Sequence, residues 1–155
     1  MNTIEIARVM HMAPEFRGVV SSCDFDSFKK YEEVSFISNT DPHNKAGQHW
    51  IGVYKKGDTV EFFDSFGRDI YEFAEPFASI MKDFTSGFQL ITNKRQYQNV
   101  LYDTCGRWTY YYILSRICGI VDFDEFTQDT FANEIELSVQ WEYVIEILKN
   151  FKFVV

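Results

Sequence analysis

The sequence has few cysteines, prolines and histidines, and each scarcity argues against a class of protein. Its 3 cysteines, Cys23, Cys105 and Cys118, are widely spaced and odd in number, with no CxxC pair. This pattern suits free thiols in a reducing compartment rather than a disulfide framework. With 3 histidines and no paired Cys/His spacing, we expect no metal site. Only 3 Pro and 8 Gly leave no room for a long linker, so residues 1–155 are expected to form one domain.

Positive charge and long apolar runs are also scarce. The 15 Lys and Arg residues face 23 Asp and Glu residues, which gives a formal net charge of −8. Such a surface disfavours binding to nucleic acid or to an anionic membrane. No apolar run approaches the roughly 20 residues that span a bilayer, and residues 1–5 lack the basic and apolar regions of a signal peptide. We therefore expect a soluble protein that is not secreted.

Aromatic residues are abundant, with 16 Phe and 9 Tyr, and they favour a compact aromatic core. Apolar residues at helical spacing predict helices over 3–12, 73–84, 105–118 and 134–149. Extended segments are predicted over 16–20, 34–38, 48–54, 59–64 and 88–92. The predicted fold class is α+β, with a small antiparallel or mixed sheet, a central helix that starts at Cys105, and flanking helices.

The hairpin formed by 48–54 and 59–64 brings two chemically useful side chains together. With 56–57 as a two-residue turn, residues whose numbers sum to 113 face each other, so His49 faces Asp64. Side chains directly opposed on antiparallel strands have Cβ atoms about 5 Å apart. The hairpin therefore predicts an imidazole–carboxylate pair, provided that the turn has this length.

Cys105 lies at the start of the central helix. Asp103 or Thr104 can cap this helix, and its macrodipole and free N–H groups favour a thiolate at Cys105. Gln98, seven residues upstream, can fold back beside the sulfur. A lone cysteine at a helix start is more often structural.

A cysteine nucleophile needs a histidine, an acid that orients it, and donors for an oxyanion. His49, Asp64, Gln98 and the Cys105 backbone N–H together supply these parts. Each also has a simpler interpretation, as a core histidine, a turn-initiating aspartate or a helix-start cysteine. The joint occurrence favours catalysis.

The remaining candidates are given structural roles. We expect His11 to be structural, His43 to be exposed, and Cys23 and Cys118 to be buried small hydrophobes. The run of tyrosines over 110–112 is expected to pack in the core rather than to stack on bases, given the net charge.

Four sequence blocks occur in an order that matches a known family. They are Phe16-Arg17-Gly18-Val19, Phe36-Ile37-Ser38-Asn39-Thr40 with Gly47-Gln48-His49-Trp50, Phe63-Asp64-Ser65-Phe66-Gly67, and Gln98 with Cys105-Gly106. On these blocks the chain resembles the adenovirus endopeptidase (adenain) family of cysteine proteases. The related enzymes of Maverick/Polinton elements and virophages resemble it more closely. The same clan includes the SUMO-deconjugating proteases.

The resemblance implies a role for each matched residue. His49 would be the general base, Asp64 its orienter, Cys105 the nucleophile and Gln98 the oxyanion side chain. Trp50 would pack beside the catalytic pair, and Gly106 would support the substrate cleft. Family members process viral precursor proteins during capsid maturation and favour glycine-containing cleavage sites. This implies a viral structural precursor as partner, and a location in the virion and in the infected cell, in cytoplasm or virus factory.

The chain departs from the family in ways that bear on cofactors. Its acid is Asp64, where adenovirus enzymes have Glu and SUMO proteases mostly Asp. The adenovirus enzyme is basic and is activated by DNA and by a disulfide-linked peptide, whereas this chain is acidic and has Gly87 near the position of the linking cysteine. We therefore expect no cofactor and no nucleic-acid partner, and an activating peptide stays open. Two alternatives are a deconjugating protease for ubiquitin-like modifiers and a catalytically silent, capsid-associated binding protein.

Overall fold

The computed structural model describes residues 15–42, 44–45, 48–101, 103–117 and 119. The helices predicted over 3–12 and 134–149 lie outside these residues, as do His11, His43 and Cys118. Among the described residues, no helix combines the length and the apolarity needed to cross a bilayer.

The described residues form a five-stranded mixed sheet and two α-helices. The strands are β1 Phe16–Val20, β2 Glu33–Asn39, β3 Trp50–Lys56, β4 Thr59–Asp64 and β5 Gln89–Thr92. The helices are α1 Phe77–Thr85 and α2 Cys105–Ile117, with short 3₁₀ helices at Asp26–Lys30 and Ile70–Glu72. Strand order follows chain order. The predicted α+β class, with a mixed sheet and a helix that starts at Cys105, is confirmed.

The connections explain which strand pairs are parallel. β2, β3 and β4 form an antiparallel meander. β4 and β5 are parallel because the chain returns through the second 3₁₀ helix and α1, and parallel neighbours require such a crossover. β1 and β2 are also parallel, with the first 3₁₀ helix between them.

The register predicted for the β3–β4 hairpin is wrong by two residues. Asp64 pairs with Ile51, and Lys56 pairs with Thr59, so the turn consists of Gly57 and Asp58. Gly57 has a φ of 56°, and glycine adopts this positive φ at the first position of a tight hairpin turn more easily than Lys56 would.

The helix predicted over 73–84 begins later, at Phe77. Pro76 directly precedes its first residue. Because proline lacks the N–H that an interior helical position would donate, it is not accommodated inside the helix, which starts after it. Phe73 instead follows the second 3₁₀ helix, and its ring packs against Phe77 at 5.2 Å between centroids.

The two faces of the sheet carry different layers. On one face, α1 and the first 3₁₀ segment cover an apolar core. This core is made of Phe25, Val34, Phe36, Ile51, Val53, Val60, Phe62, Ile70, Phe77, Met81 and Phe84. On the other face, α2 crosses β3, and Tyr110 and Tyr111 in this helix are fully buried. These two tyrosines of the run therefore pack in the interior, as predicted, while Tyr112 is half-buried.

A polar anchor holds α2 on its face of the sheet. Tyr112 donates a 2.8 Å hydrogen bond to the buried carboxylate of Glu61 in β4, and Arg116 forms an ion pair with the same group. The Tyr112 ring also stacks on Phe63, at 4.3 Å and 12°. These directional contacts fix the rotation of α2 about its axis.

Gly52 allows α2 to lie close to β3. A Cβ at this position would be 3.1 Å from Cγ1 of Ile113 and 3.2 Å from Cγ2 of Thr109. Both distances are shorter than ordinary carbon contacts, so a side chain here would push α2 away from the sheet. Thr109 is also hydrogen-bonded to the carbonyl of Trp50, at 3.2 Å.

We expect Gly52→Ala to destabilise the protein by about 1 to 2 kcal/mol, since it overpacks a filled interface. Urea unfolding monitored by tryptophan fluorescence measures this loss. Adding Ile113→Val removes the Cδ1 atom, which lies 3.2 Å from the new methyl group, and should recover part of the loss. Ile113→Val in the parent chain is the matched control. Strictly additive losses in the double variant would contradict the proposed contact.

Candidate active site

His49 and Asp64 form an ion pair at one end of the β3–β4 hairpin. His49 directly precedes β3 and Asp64 ends β4, and Nε2 of His49 contacts Oδ1 of Asp64. Because Asp64 pairs with Ile51, His49 is its diagonal neighbour rather than the residue directly opposite. A shift of two residues keeps a side chain on the same side of a sheet, so the predicted contact forms although the predicted register is wrong.

The Asp64 carboxylate is fully buried and has a second cationic partner. Arg68 donates to Oδ2 from its backbone N at 3.1 Å and from Nε at 2.8 Å, and its Nη2 lies 3.4 Å from Oδ1. Burial alone would raise the pKa of Asp64, but the hydrogen bonds from His49 and Arg68 outweigh it and lower the pKa. Asp64 is therefore held as a carboxylate.

Asn93, which follows β5, fixes the backbone of Asp64. Its Oδ1 accepts from the Asp64 N–H at 2.9 Å, and its Nδ2 donates to the Asp64 carbonyl at 2.6 Å. This two-way contact continues the β4–β5 pairing by one residue. It sets the direction in which the Asp64 side chain leaves the strand.

The His49 ring lies against two phenylalanines and close to the thiol of Cys105. Its ring centroid is 5.4 Å from Phe66 and 6.3 Å from Phe73, both nearly parallel to it. Burial lowers the pKa of His49, but hydrogen bonds to Asp64 and Cys105 outweigh it and raise the pKa. Since Nε2 faces Asp64, Nδ1 is the ring nitrogen left for the thiol.

Cys105 is the first residue of α2 and is only 4% exposed. The carbonyl of Thr104 accepts the N–H groups of Arg107 and Trp108, at 3.0 and 3.1 Å, which places Thr104 at the helix cap. The Cys105 Sγ is also 3.9 Å from a carboxylate oxygen of Asp103. The thiol therefore lies where the positive end of the helix macrodipole is strongest.

The first turns of α2 are attached to the residues around His49. The Thr109 hydroxyl, one turn after Cys105, donates to the carbonyl of Trp50, the residue that follows His49. This bond joins the helix that begins at Cys105 to the strand that follows His49. Gly106 is buried in the same first turn. The roles predicted for the Trp50 side chain and for Gly106 stay predictions.

Gln98 is buried in the segment that leads to α2. Its Oε1 accepts a 2.6 Å hydrogen bond from the hydroxyl of Ser65, and its backbone N–H donates to the Ser65 carbonyl at 3.0 Å. The neighbouring Tyr97 ring packs on Trp108 of α2, at 5.4 Å. An oxyanion site needs an N–H donor, which in a glutamine side chain is the NH₂ group. The oxyanion role of Gln98 stays a prediction.

A cavity of about 360 Å³ borders His49. Its walls come from the segment over 68–77, with Phe73, Phe77 and Pro76 among its apolar lining, and from five residues that precede His49, namely Thr40, Asp41, Pro42, Lys45 and Gln48. The cavity is large enough for one or two amino-acid side chains. It supplies a concave surface on the histidine side of the site.

Cys23 is exposed, which corrects the prediction that it is a buried hydrophobe. It lies in the turn after β1, where the Asp24 N–H bonds to the Ser21 carbonyl and Asp24 is exposed as well. Its sulfur is 3.2 Å from the Ser21 hydroxyl. Cys23 thus provides an accessible thiol for comparison with Cys105.

The sequence did not predict Arg68, Asn93 or Ser65 as parts of the site. Arg68 lies four residues after Asp64, but only the tight turn between them brings its guanidinium back to the carboxylate. Asn93 is 29 residues from Asp64 and meets it through the parallel pairing of β4 and β5. Neither contact has a spacing that marks it in a sequence. Among the residues that the structure describes, no group of three or more His, Cys, Asp or Glu side chains could hold a metal ion.

Comparison with known proteins gives distant structural similarities. No family model and no curated protein matches the sequence. The ASFV pS273R protease is 20% identical, with a TM-score of 0.43 over 74% of this chain and 43% of that protein. The Legionella pneumophila effector protein RavZ is 16% identical, with a TM-score of 0.38 over 98% of this chain and 48% of RavZ. The chain thus spans less than half the length of either protein.

Proposed function

We propose that this chain is a cysteine endopeptidase of the adenovirus endopeptidase type that cleaves viral structural precursors. The observation that carries the proposal is the contact series Asp64–His49–Cys105, which runs from a buried carboxylate through an imidazole to a thiol at a helix start. The burial of Asp64 and its second cation support an orienting role. The substrate class rests on the sequence resemblance.

The first half of the reaction forms an acyl-enzyme. Proton transfer to His49 gives a thiolate–imidazolium pair, and the Cys105 sulfur attacks the scissile carbonyl carbon to form a C–S bond. The developing oxyanion receives hydrogen bonds from the Cys105 backbone N–H and from the Gln98 amide. The C–N bond then breaks as the His49 imidazolium donates its proton to the leaving amine.

The second half restores the enzyme. Water attacks the thioester carbon while neutral His49 accepts a proton from it, the C–S bond breaks, and the Cys105 thiolate leaves. Throughout, Asp64 holds the imidazole in one orientation through Nε2 and stabilises its charged form. No metal or cofactor is needed in this sequence of steps.

The cavity beside His49 takes the part of the substrate that follows the cut. Since His49 protonates the leaving amine, the departing segment must lie on its side of the scissile bond. The cavity bordered by His49 and Phe73 is the concave surface there. The narrow, glycine-accepting cleft implied by the resemblance would lie on the opposite side, near Cys105.

The first test compares the two described thiols. We expect iodoacetamide at neutral pH to label Cys105 faster than Cys23, although Cys105 is 4% exposed and Cys23 is exposed. Accessibility alone gives the reverse order, so faster labelling of Cys105 reports a thiolate. Peptide mass spectrometry of a short time course measures both rates.

The matched control is His49→Ala, which removes the imidazole and leaves both thiols in place. It should slow the labelling of Cys105 and leave that of Cys23 unchanged. Slower labelling of Cys105 than of Cys23 in the folded parent protein would favour the silent, capsid-associated alternative.

The second test identifies the substrate. The protein is incubated with a co-encoded major capsid precursor, and the fragments are identified by mass spectrometry, with Cys105→Ala as the blank. Cleavage at glycine-containing sites is the expected result. Turnover of a modifier probe that ends in Gly-Gly, without cleavage of the precursor, would favour the deconjugating protease instead.

A further inference from the structure

Arg68 contacts Asp64 and both of the aromatic rings that stack on His49. It contacts Asp64 through three donors: its backbone N–H and Nε bind Oδ2, and its Nη2 approaches Oδ1, which also contacts His49. The carboxylate is thereby fixed at both oxygens. A carboxylate with a partner on one oxygen only would be free to rotate about its final bond.

The Arg68 guanidinium also covers the two rings that stack on His49. It lies 4.4 Å from the centroid of Phe73 and 5.2 Å from that of Phe66. The same rings lie 6.3 and 5.4 Å from the imidazole centroid. A planar guanidinium can bind a carboxylate along its edge and aromatic rings on its face at once, which a lysine ammonium cannot do.

We propose that Arg68 is a positioning residue of the catalytic site, which orients the Asp64 carboxylate toward His49 and holds the aromatic pair against the imidazole. This inference rests on the proposed function for its catalytic consequence. Arg68 does not touch the reacting atoms in this scheme. It acts through Asp64, Phe66 and Phe73.

The charges around the pair set the sign of the expected effect. Asp64 faces the cationic groups of His49 and Arg68. His49 faces Asp64 and the Cys105 thiol. Asn93 contacts Asp64 with an uncharged amide. Arg68 lowers the pKa of Asp64, whereas burial raises it. Removing the guanidinium should therefore let Asp64 take up its proton at a higher pH.

The experiment replaces Arg68 by glutamine and by lysine in the full chain. Arg68→Gln should lower kcat about tenfold with little change in KM, and should move the acid limb of the activity profile to higher pH. The ¹³Cγ signal of Asp64, assigned with Asp64→Asn, should titrate at a correspondingly higher pH. Arg68→Lys keeps the positive charge but loses the planar set of guanidinium donors. In this variant Asp64 should titrate near its pH in the parent protein, and kcat should still be several-fold lower than in the parent.

Arg17→Gln is the matched control, because it removes the same charge from an exposed arginine of β1 that covers Tyr31 at 4.1 Å. It should leave kcat and the Asp64 titration unchanged. Parent-like kcat in Arg68→Lys would overturn the orienting role, even if Arg68→Gln failed to fold. A lower melting temperature in folded Arg68→Gln without any shift of the Asp64 titration would reduce Arg68 to a structural residue.

The titration also separates this inference from the proposed function, because it requires no substrate. If the parent protein cleaves nothing but Arg68→Gln still moves the Asp64 titration, the positioning contact stands and the peptidase proposal fails. If the parent protein cleaves the precursor and Arg68→Gln changes neither kcat nor the titration, the peptidase proposal stands and the positioning role of Arg68 fails.

Discussion

Cys105→Ala and His49→Ala are each expected to lower kcat/KM at least about a thousandfold, and combining them should lower it no further. The first change removes the attacking sulfur. The second removes the group that takes its proton and later protonates the leaving amine. Because the two residues act as one unit, the loss of either removes the same step, so their effects are far from additive. Initial rates on a fluorogenic peptide taken from the identified cleavage site measure all three variants.

Two further variants set the scale of these losses. Cys23→Ala removes the exposed thiol that contacts Ser21 and should retain parent activity. Asp64→Ala should reduce turnover less than His49→Ala, since it misorients the imidazole without removing it. Parent activity in Cys105→Ala would end the peptidase proposal. A double variant much slower than either single variant would mean that His49 and Cys105 act independently.

The His49–Asp64 contact could be predicted because it depends on the side of the sheet rather than on the register. The predicted turn, 56–57, lies one residue before the observed turn, 57–58. Asp64 therefore pairs with Ile51 rather than with His49. Such a shift changes the partner by two positions and preserves the face. A three-residue turn would have broken the prediction, so the alternation of the two strands carried more information than the turn did.

Contacts that close around Asp64 could not be predicted in the same way. Arg68 binds it because the chain turns tightly, with the Gly67 N–H bonded to the Asp64 carbonyl at 2.8 Å. Asn93 binds it because β5 lies parallel to β4 after a long crossover. Both contacts are consequences of tertiary structure. The sequence shows only an arginine and an asparagine in polar segments.

The position of Cys105 relative to the sheet could be predicted only in part. The capping residues and the aromatic run predicted a buried helix that starts at Cys105, and α2 begins there. Its distance from β3 depends on Gly52, which the sequence shows as one glycine inside a strand. Glycine in a strand often marks close approach of a neighbouring element, but it does not identify that element.

Gly67→Ala is expected to destabilise the protein by about 3 kcal/mol or more. Gly67 has a φ of 73°, a backbone conformation that costs alanine about 1 to 2 kcal/mol. In addition, an added Cβ would lie 2.9 Å from the carbonyl oxygens of both Lys94 and Arg95. Overpacking of this kind adds about 1 to 3 kcal/mol. Urea unfolding of the parent and variant proteins measures the sum.

Gly87→Ala separates the two contributions. Gly87 has a φ of 87°, but a Cβ there would have nothing within 4 Å. Gly87→Ala should therefore be destabilised only by the positive φ, by about 1 to 2 kcal/mol. Equal losses of unfolding free energy in the two variants would mean that the loop over 94–95 moves aside at no energetic cost. Gly67 would then be required only for its positive φ.

The same contact should link stability to catalysis. The atoms that an alanine at Gly67 would meet are backbone carbonyls, so no change of side-chain rotamer can relieve the clash, and the loop over 94–95 has to move. That loop follows directly on Asn93, which holds the backbone of Asp64 from both sides. We therefore expect Gly67→Ala to lower kcat even at temperatures where it is fully folded, whereas Gly87→Ala keeps the parent kcat. Parent kcat in folded Gly67→Ala would show that the Asp64 carboxylate is positioned by Arg68 and His49 alone.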